Sequence, residues 1–94
     1  MIRVTVSKDG DQILEVALHK DDIIIGRGAE ADVQLTSEAV SRRHARLQRT
    51  DDGWQVADLG AANGVYVEGA GQAEPERVVI RPLAKSDRIH IETY

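Results

Sequence analysis

The stretch SEAVSRRHARLQR, residues 37–49, decides how this chain is read. Its residue types tolerate a helix, and Val40 and Leu47 stand seven positions apart, on one helical side. Arg43 and His44 lie between them, so the apolar stripe is too thin to bury. As a strand, the same residues sort cleanly. Ala45, Leu47 and Arg49 fall on one face, and His44, Arg46 and Gln48 on the other. The reading adopted is a loop followed by a strand, with no more than a helical turn over residues 37–40.

The rest of the chain agrees. IRVTV (2–6) and ILEVAL (13–18) alternate on either side of SKDGDQ, whose Asp9-Gly10 pair favours a tight hairpin turn. IIIG (23–26) is a short buried run, and ADVQL (31–35) alternates. WQVADL (54–59) places Trp54, Val56 and Asp58 on one face. NGVYVEG (63–69) opens with a turn in which Gly64 is free to take positive φ. RVVI (77–80) and RIHI (88–91) read as two more strands, and EGAGQAEPE (68–76) as a mobile hairpin loop. Short strands at close spacing, separated by turn signals, predict an all-β sandwich or barrel.

The chain has 94 residues, enough for one domain over 1–94 and no second core. A 41% apolar and 30% charged balance argues for a folded chain. The aromatics are Trp54, Tyr66 and Tyr94, so Val, Ile and Leu must build the core, which again favours strands. Without cysteine there is no disulfide and no Cys-ligated zinc. His19, His44 and His90 lack metal-ligand spacing, so neither metal nor cofactor is expected. The N-terminus is too polar for a signal peptide and no apolar run is long enough to span a bilayer. The expectation is therefore a cytoplasmic protein without membrane insertion. A formal net charge of −4 disfavours nucleic-acid binding but permits one local anion site.

Four constellations carry chemistry. Gly26-Arg27 follows a strand, and Ser41-Arg42-Arg43-His44 precedes one; together their guanidinium and hydroxyl donors suit a single phosphate. The plainer alternative is a solvated loop with Arg27 paired to Glu30 or Asp32. Asn63 has amide donors and an acceptor suited to another chain's backbone, although Asn-Gly is also a common tight turn. Ser41, His44 and Asp58 include the residue types of a hydrolytic triad. No Gly-x-Ser-x-Gly elbow accompanies them and little chain remains for a substrate pocket, so no enzyme is expected. Finally, Arg42, Arg43, Arg46 and Arg49 divide between two strand faces with no aromatic residues among them, a poor nucleic-acid surface.

Taken in order, IIIGRGAEADVQL, VSRRHARL, DLGAANGVYVEG and LAKSDRIHI resemble the forkhead-associated (FHA) domain family, over about residues 23–91. The resemblance implies a sandwich of two packed, mainly antiparallel sheets that holds a phosphothreonine peptide in loops at one end. It also implies roles. Arg27 would contact the phosphate or the peptide backbone, Ser41 and Arg42 the phosphate, and Asn63 the peptide main chain. Gly26, His44 and Gly64 would support the loops, while Ala39, Arg43 and Ala62 would influence ligand choice. The partner would be a phosphothreonine-containing protein or peptide, in the same chain or complex or in another, made by a Ser/Thr kinase.

Two departures from the family pattern stand out. A Ser or Thr usual before Asn-Gly is replaced by alanine, Ala61 and Ala62, and the following Thr is Val65. Loss of a hydroxyl bonded to phosphate costs roughly 1.5–3 kcal/mol, or about ten- to a hundredfold in affinity. DRIHIETY also ends before the strand with which the family usually closes. That leaves a sheet edge open, and the expectation is either the N-terminal part of a longer protein or an edge covered by another chain. A phosphorylation-independent scaffold or assembly domain, using the same loops or that edge, is the alternative.

Overall fold

The computed structural model describes residues 2–94. Ten strands follow in chain order: β1 Ile2–Lys8, β2 Asp11–Leu18, β3 Asp22–Gly26, β4 Val33–Gln34, β5 Ala45–Thr50, β6 Gly53–Asp58, β7 Val65–Glu68, β8 Glu76–Val78, β9 Ile80–Pro82 and β10 Arg88–His90. They form a β1-β2 hairpin, a three-stranded sheet β10-β7-β8 and a five-stranded sheet β4-β3-β5-β6-β9. All pairings are antiparallel except β3 with β4. The all-β expectation holds, and residues 37–40 form a turn closed by the Val40 N–H on the Ser37 carbonyl.

The β1–β2 hairpin shows how local chemistry sets register. Asp9 and Gly10 both take positive φ, 52° and 87°, matching a tight turn with the twist of a hairpin. Ile2, Val4 and Val6 pair with Leu18, Val16 and Leu14, and all of these but the exposed Leu14 pack in or against the core. Register then slips past Val6 at a bulge that leaves Ile13 unpaired and 57% exposed. ADVQL yields only a two-residue strand. The Asp32 carboxylate takes the Ile24 N–H at 2.9 Å, so pairing with β3 begins one residue later, at Val33 opposite Ile25.

RVVI is not one strand. Val78 is buried in the three-stranded sheet, Val79 is 78% exposed, and Ile80 pairs with Ala57 in the five-stranded sheet. The chain changes sheets at Val79, a corner that an uninterrupted apolar run conceals. Within the 68–76 loop, Gln72 Oε1 accepts from Gly69 N–H at 2.5 Å.

Ile23, Ile25, Leu47 and Val56 of the larger sheet share one core with Val65, Val67 and Val78 of the smaller, plus Val6 and Ile91. β1 has a partner on one side only, and β10 is the outer strand of its sheet. Residues 2–7 and 88–91 both line one open cleft of about 1180 Å³ whose lining includes core residues Leu47 and Val33. Beyond β10, residues 91–94 turn back, and Thr93 O accepts from Asp9 N–H.

Asp32 also pairs with Lys20 at 2.6 Å. The Ile24 N–H first, and then Lys20, hold its carboxyl below the usual carboxylate range. A carboxylate lowered on folding contributes stability at pH above its unfolded value and loses it as pH falls through the folded one. Asp32→Asn should therefore cost about 1–2 kcal/mol at neutral pH. The deficit should close as the wild type is titrated below the carboxylate range, in urea unfolding curves recorded against pH. A deficit independent of pH would reject the charge as its source.

Candidate functional site

Register gathers the loops. Ile25 lies opposite Ala45, and Ala45 opposite Asp58, so Gly26, His44 and Leu59 emerge side by side at one end of the five-stranded sheet. β7 begins just after the same loop, at Val65. The segments after β3, before β5 and after β6 therefore meet there.

The first two run together beyond their strands. His44 N–H donates to Ile25 O at 2.9 Å, Arg27 N–H to Ser41 O at 3.0 Å and Gly28 N–H to Arg42 O at 3.1 Å. Gly26 permits this approach, since a Cβ there would stand 2.1 Å from the Arg42 carbonyl oxygen. Arg27 Nε donates to Val40 O at 3.0 Å, laying its side chain across the neighbouring loop. Its predicted alternative partners are engaged elsewhere. Asp32 holds Ile24 and Lys20, and the Glu30 carboxylate sits against Gly28.

His44 is fully buried and joins the second and third loops. Its Nδ1 accepts from Ser41 N–H at 3.1 Å, and its Nε2 lies 2.7 Å from Gly64 O. An imidazole that accepts at Nδ1 and donates at Nε2 is the neutral Nε2–H tautomer. Gly64 takes φ 74° at that contact. Asp58 shapes the third loop, its Oδ1 accepting from Gly60 N–H at 2.9 Å and Ala61 N–H at 2.8 Å. The triad residue types are thus committed to backbone, and His44 Nδ1 meets the Ser41 amide rather than its hydroxyl.

The two alanines are not equivalent. Ala61 is 6% exposed and belongs to the packed interior. Ala62 is exposed, and its N–H lies 3.4 Å from Ser41 Oγ. One missing hydroxyl faces the site, not two. Asn63 Nδ2 donates to Ala39 O at 2.7 Å, a contact between loops that the sequence did not foretell. Arg42 and Arg43 are exposed.

Arg3, Arg46, Arg49 and Lys20 have carboxylate partners within ion-pair distance. Among the described residues, Arg27, Arg42 and Arg43 have none, nor does Arg77, whose guanidinium lies over Gly64. Position alone does not sort the charges, since Lys8, Arg81, Lys85 and Arg88, outside these three loops, also lack a carboxylate within ion-pair distance among the described residues. The predicted site residues Gly26, Arg27, Ala39, Ser41, Arg42, His44, Ala62, Asn63 and Gly64 come together. Arg43 lies on the same loop, exposed between Arg42 and His44, and its charge helps to lower the Asp22 carboxyl, behind the stronger effect of the Arg46 hydrogen bond. Arg77 was not anticipated. It arrives through β7–β8 pairing, and the seven-residue connection between those strands hides that register in the sequence.

The sequence model of the FHA domain matches residues 23–92. FHA domain-containing protein FhaB of Mycolicibacterium smegmatis is 38% identical over 77 residues, covering 82% of this chain and 50% of that protein. The chain thus spans about half the length of that curated relative. A solved structure from work on phosphothreonine-dependent FHA domain interactions superposes with a TM-score of 0.73 at 31% identity, covering 95% of this chain and 86% of that one. Mycobacterium tuberculosis EmbR, in complex with a low affinity phosphopeptide, gives a TM-score of 0.74 at 29% identity, covering 88% of this chain and 23% of that one.

Proposed function

The chain belongs to the FHA domain family, and on that premise we propose that it binds phosphothreonine-containing segments of proteins marked by a Ser/Thr kinase. The observation that carries this reading is a set of donors without acidic partners on an acidic chain. Among the described residues Arg27 has no carboxylate within ion-pair distance, and the Ser41 hydroxyl lies beside the Ala62 N–H, both on loops braced by His44. A phosphate dianion seated among them accepts charge-assisted hydrogen bonds. In this reading Arg42 adds a donor by side chain or backbone, and Asn63 contacts the peptide main chain. Asn63 must then release Ala39 O or use its remaining amide atoms. The two solved neighbours concern phosphothreonine-dependent interactions and a bound phosphopeptide, which supports the same class of ligand.

The test is an NMR titration of the 94-residue chain with a degenerate phosphothreonine peptide pool and its unphosphorylated twin. The phosphorylated pool alone should shift the amides of Arg27, Ser41, Arg42 and Asn63. Arg27→Ala should weaken binding by about ten- to a hundredfold. Equal response to both pools, or binding indifferent to Arg27→Ala, would sink the reading.

One observation favours a second reading. The unpaired edges of β1 and β10 border the open cleft, where a partner's strand has backbone groups to meet. A scaffold working through that edge would keep its partner after phosphatase treatment and in Arg27→Ala.

A further inference from the structure

We infer that Arg77 is a specificity-determining residue that recognises a carboxylate in the ligand, on the side of the phosphothreonine that passes Asn63. This inference rests on the phosphothreonine reading above. Arg77 stands opposite Tyr66 in the β7–β8 ladder, and Val78 opposite Val65. Its side chain leans one step further toward the loop end. A Cβ built on Gly64 would lie 2.8 Å from Arg77 Nε, 3.0 Å from Cζ and 3.1 Å from Nη2. Three guanidinium atoms at nearly equal distance place the planar group broadside over the glycine. Gly64 follows Asn63 directly and gives its carbonyl to His44, so Arg77 is seated on the backbone of the site itself.

Among the described residues nothing occupies its donors. Arg77 is exposed and makes no side-chain hydrogen bond or ion pair among the described residues. Arg88 is likewise unpaired among the described residues, so the seat over Gly64 is what sets Arg77 apart, while some other arginines are engaged. Arg46 is matched by Asp22 through two contacts of 2.6 Å, and Arg81 reaches Gln72. A chain with 16 acidic residues has left this guanidinium uncommitted at the rim of the candidate site. A planar fork of donors held at that rim is suited to a carboxylate, which it engages in bidentate fashion. A purely packing role, covering Gly64, needs the stem and the plane but not the charge.

The experiment measures affinities of phosphothreonine peptides in which one glutamate, or one lysine, is stepped along the positions flanking the phosphothreonine. A peptide neutral at all flanking positions is the reference for each protein. Wild type should prefer glutamate at a single position by about two- to fivefold, the range of an exposed ion pair, and less at high salt. Arg77→Gln, which keeps much of the stem, should erase that preference, and Arg77→Glu should turn it toward lysine. Thermal melts of both variants establish that they are folded. If wild type has no acidic preference, or if it persists in both variants, the inference fails while phosphothreonine binding stands. If no phosphopeptide in the series binds wild type, the functional reading and this inference fall together.

Discussion

Replacing His44 by alanine is expected to remove about 3 kcal/mol or more of stability and to abolish ligand binding. The side chain is fully buried, so its loss leaves a cavity. Two backbone groups then lose their partner, the Ser41 N–H at 3.1 Å and the Gly64 carbonyl at 2.7 Å. An unpaired buried polar group costs roughly 1–3 kcal/mol, so each contribution matters against the 5–15 kcal/mol of a typical domain. The geometry also orders the variants. Asparagine can offer an acceptor near the Nδ1 position and keep Ser41 in place, but it cannot reach Gly64. His44→Asn should thus lie between wild type and His44→Ala in urea unfolding, with the Gly64 side more disturbed in amide shifts. A loss below about 1 kcal/mol for alanine would mean the loops are held by something else.

That bridge shows what a sequence conveys and what it withholds. The supporting role of His44 was implied by the Ser-Arg-x-His pattern, because the pattern places a histidine where β5 begins. Strand content was legible for a simpler reason. Alternation at Ile2–Val6 and at Ala45–Leu47 is a local property, and Asp9-Gly10 encodes its own turn. The break at Val79 was not legible, since Val78, Val79 and Ile80 are equally apolar and only the two sheets distinguish them. The two alanines pose the same difficulty. Which one faces the site depends on the Asp58 turn, whose carboxylate captures the Gly60 and Ala61 amides and so directs Ala62 outward.

The charge pattern raises the same point at longer range. Clustered arginines on a chain of net charge −4 are ambiguous in sequence, because pairing depends on neighbours distant along the chain. Arg46 finds Asp22 only through the β3–β5 ladder, in which it stands opposite Ile24. Arg27 finds no acid, because Asp32 is drawn to Ile24 and Lys20. Arg77 meets Gly64 only once β8 is laid beside β7.

Gly26→Ala should be as damaging as loss of His44, for a different reason. Gly26 is not among the glycines with positive φ, so conformational freedom is not the issue. Space is. The added Cβ would stand 2.1 Å from the Arg42 carbonyl oxygen, 2.7 Å from its carbon and 3.0 Å from Ser41 O, all backbone atoms. Relief requires residues 41–44 to move away from β3, against the Arg27 N–H to Ser41 O and Gly28 N–H to Arg42 O bonds. A cost of about 3 kcal/mol or more is expected, with loss of binding because Ser41 and Arg27 separate. Gly28→Ala is the informative control. The nearest atoms its Cβ would meet are those of the Glu30 carboxylate, the end of a flexible side chain, and the change should cost less than about 1 kcal/mol. Urea unfolding of the two variants side by side separates the cases. Equal stability would mean that the close approach of the two backbones does not hold the site, and that Arg27 and Ser41 are positioned by their own loops.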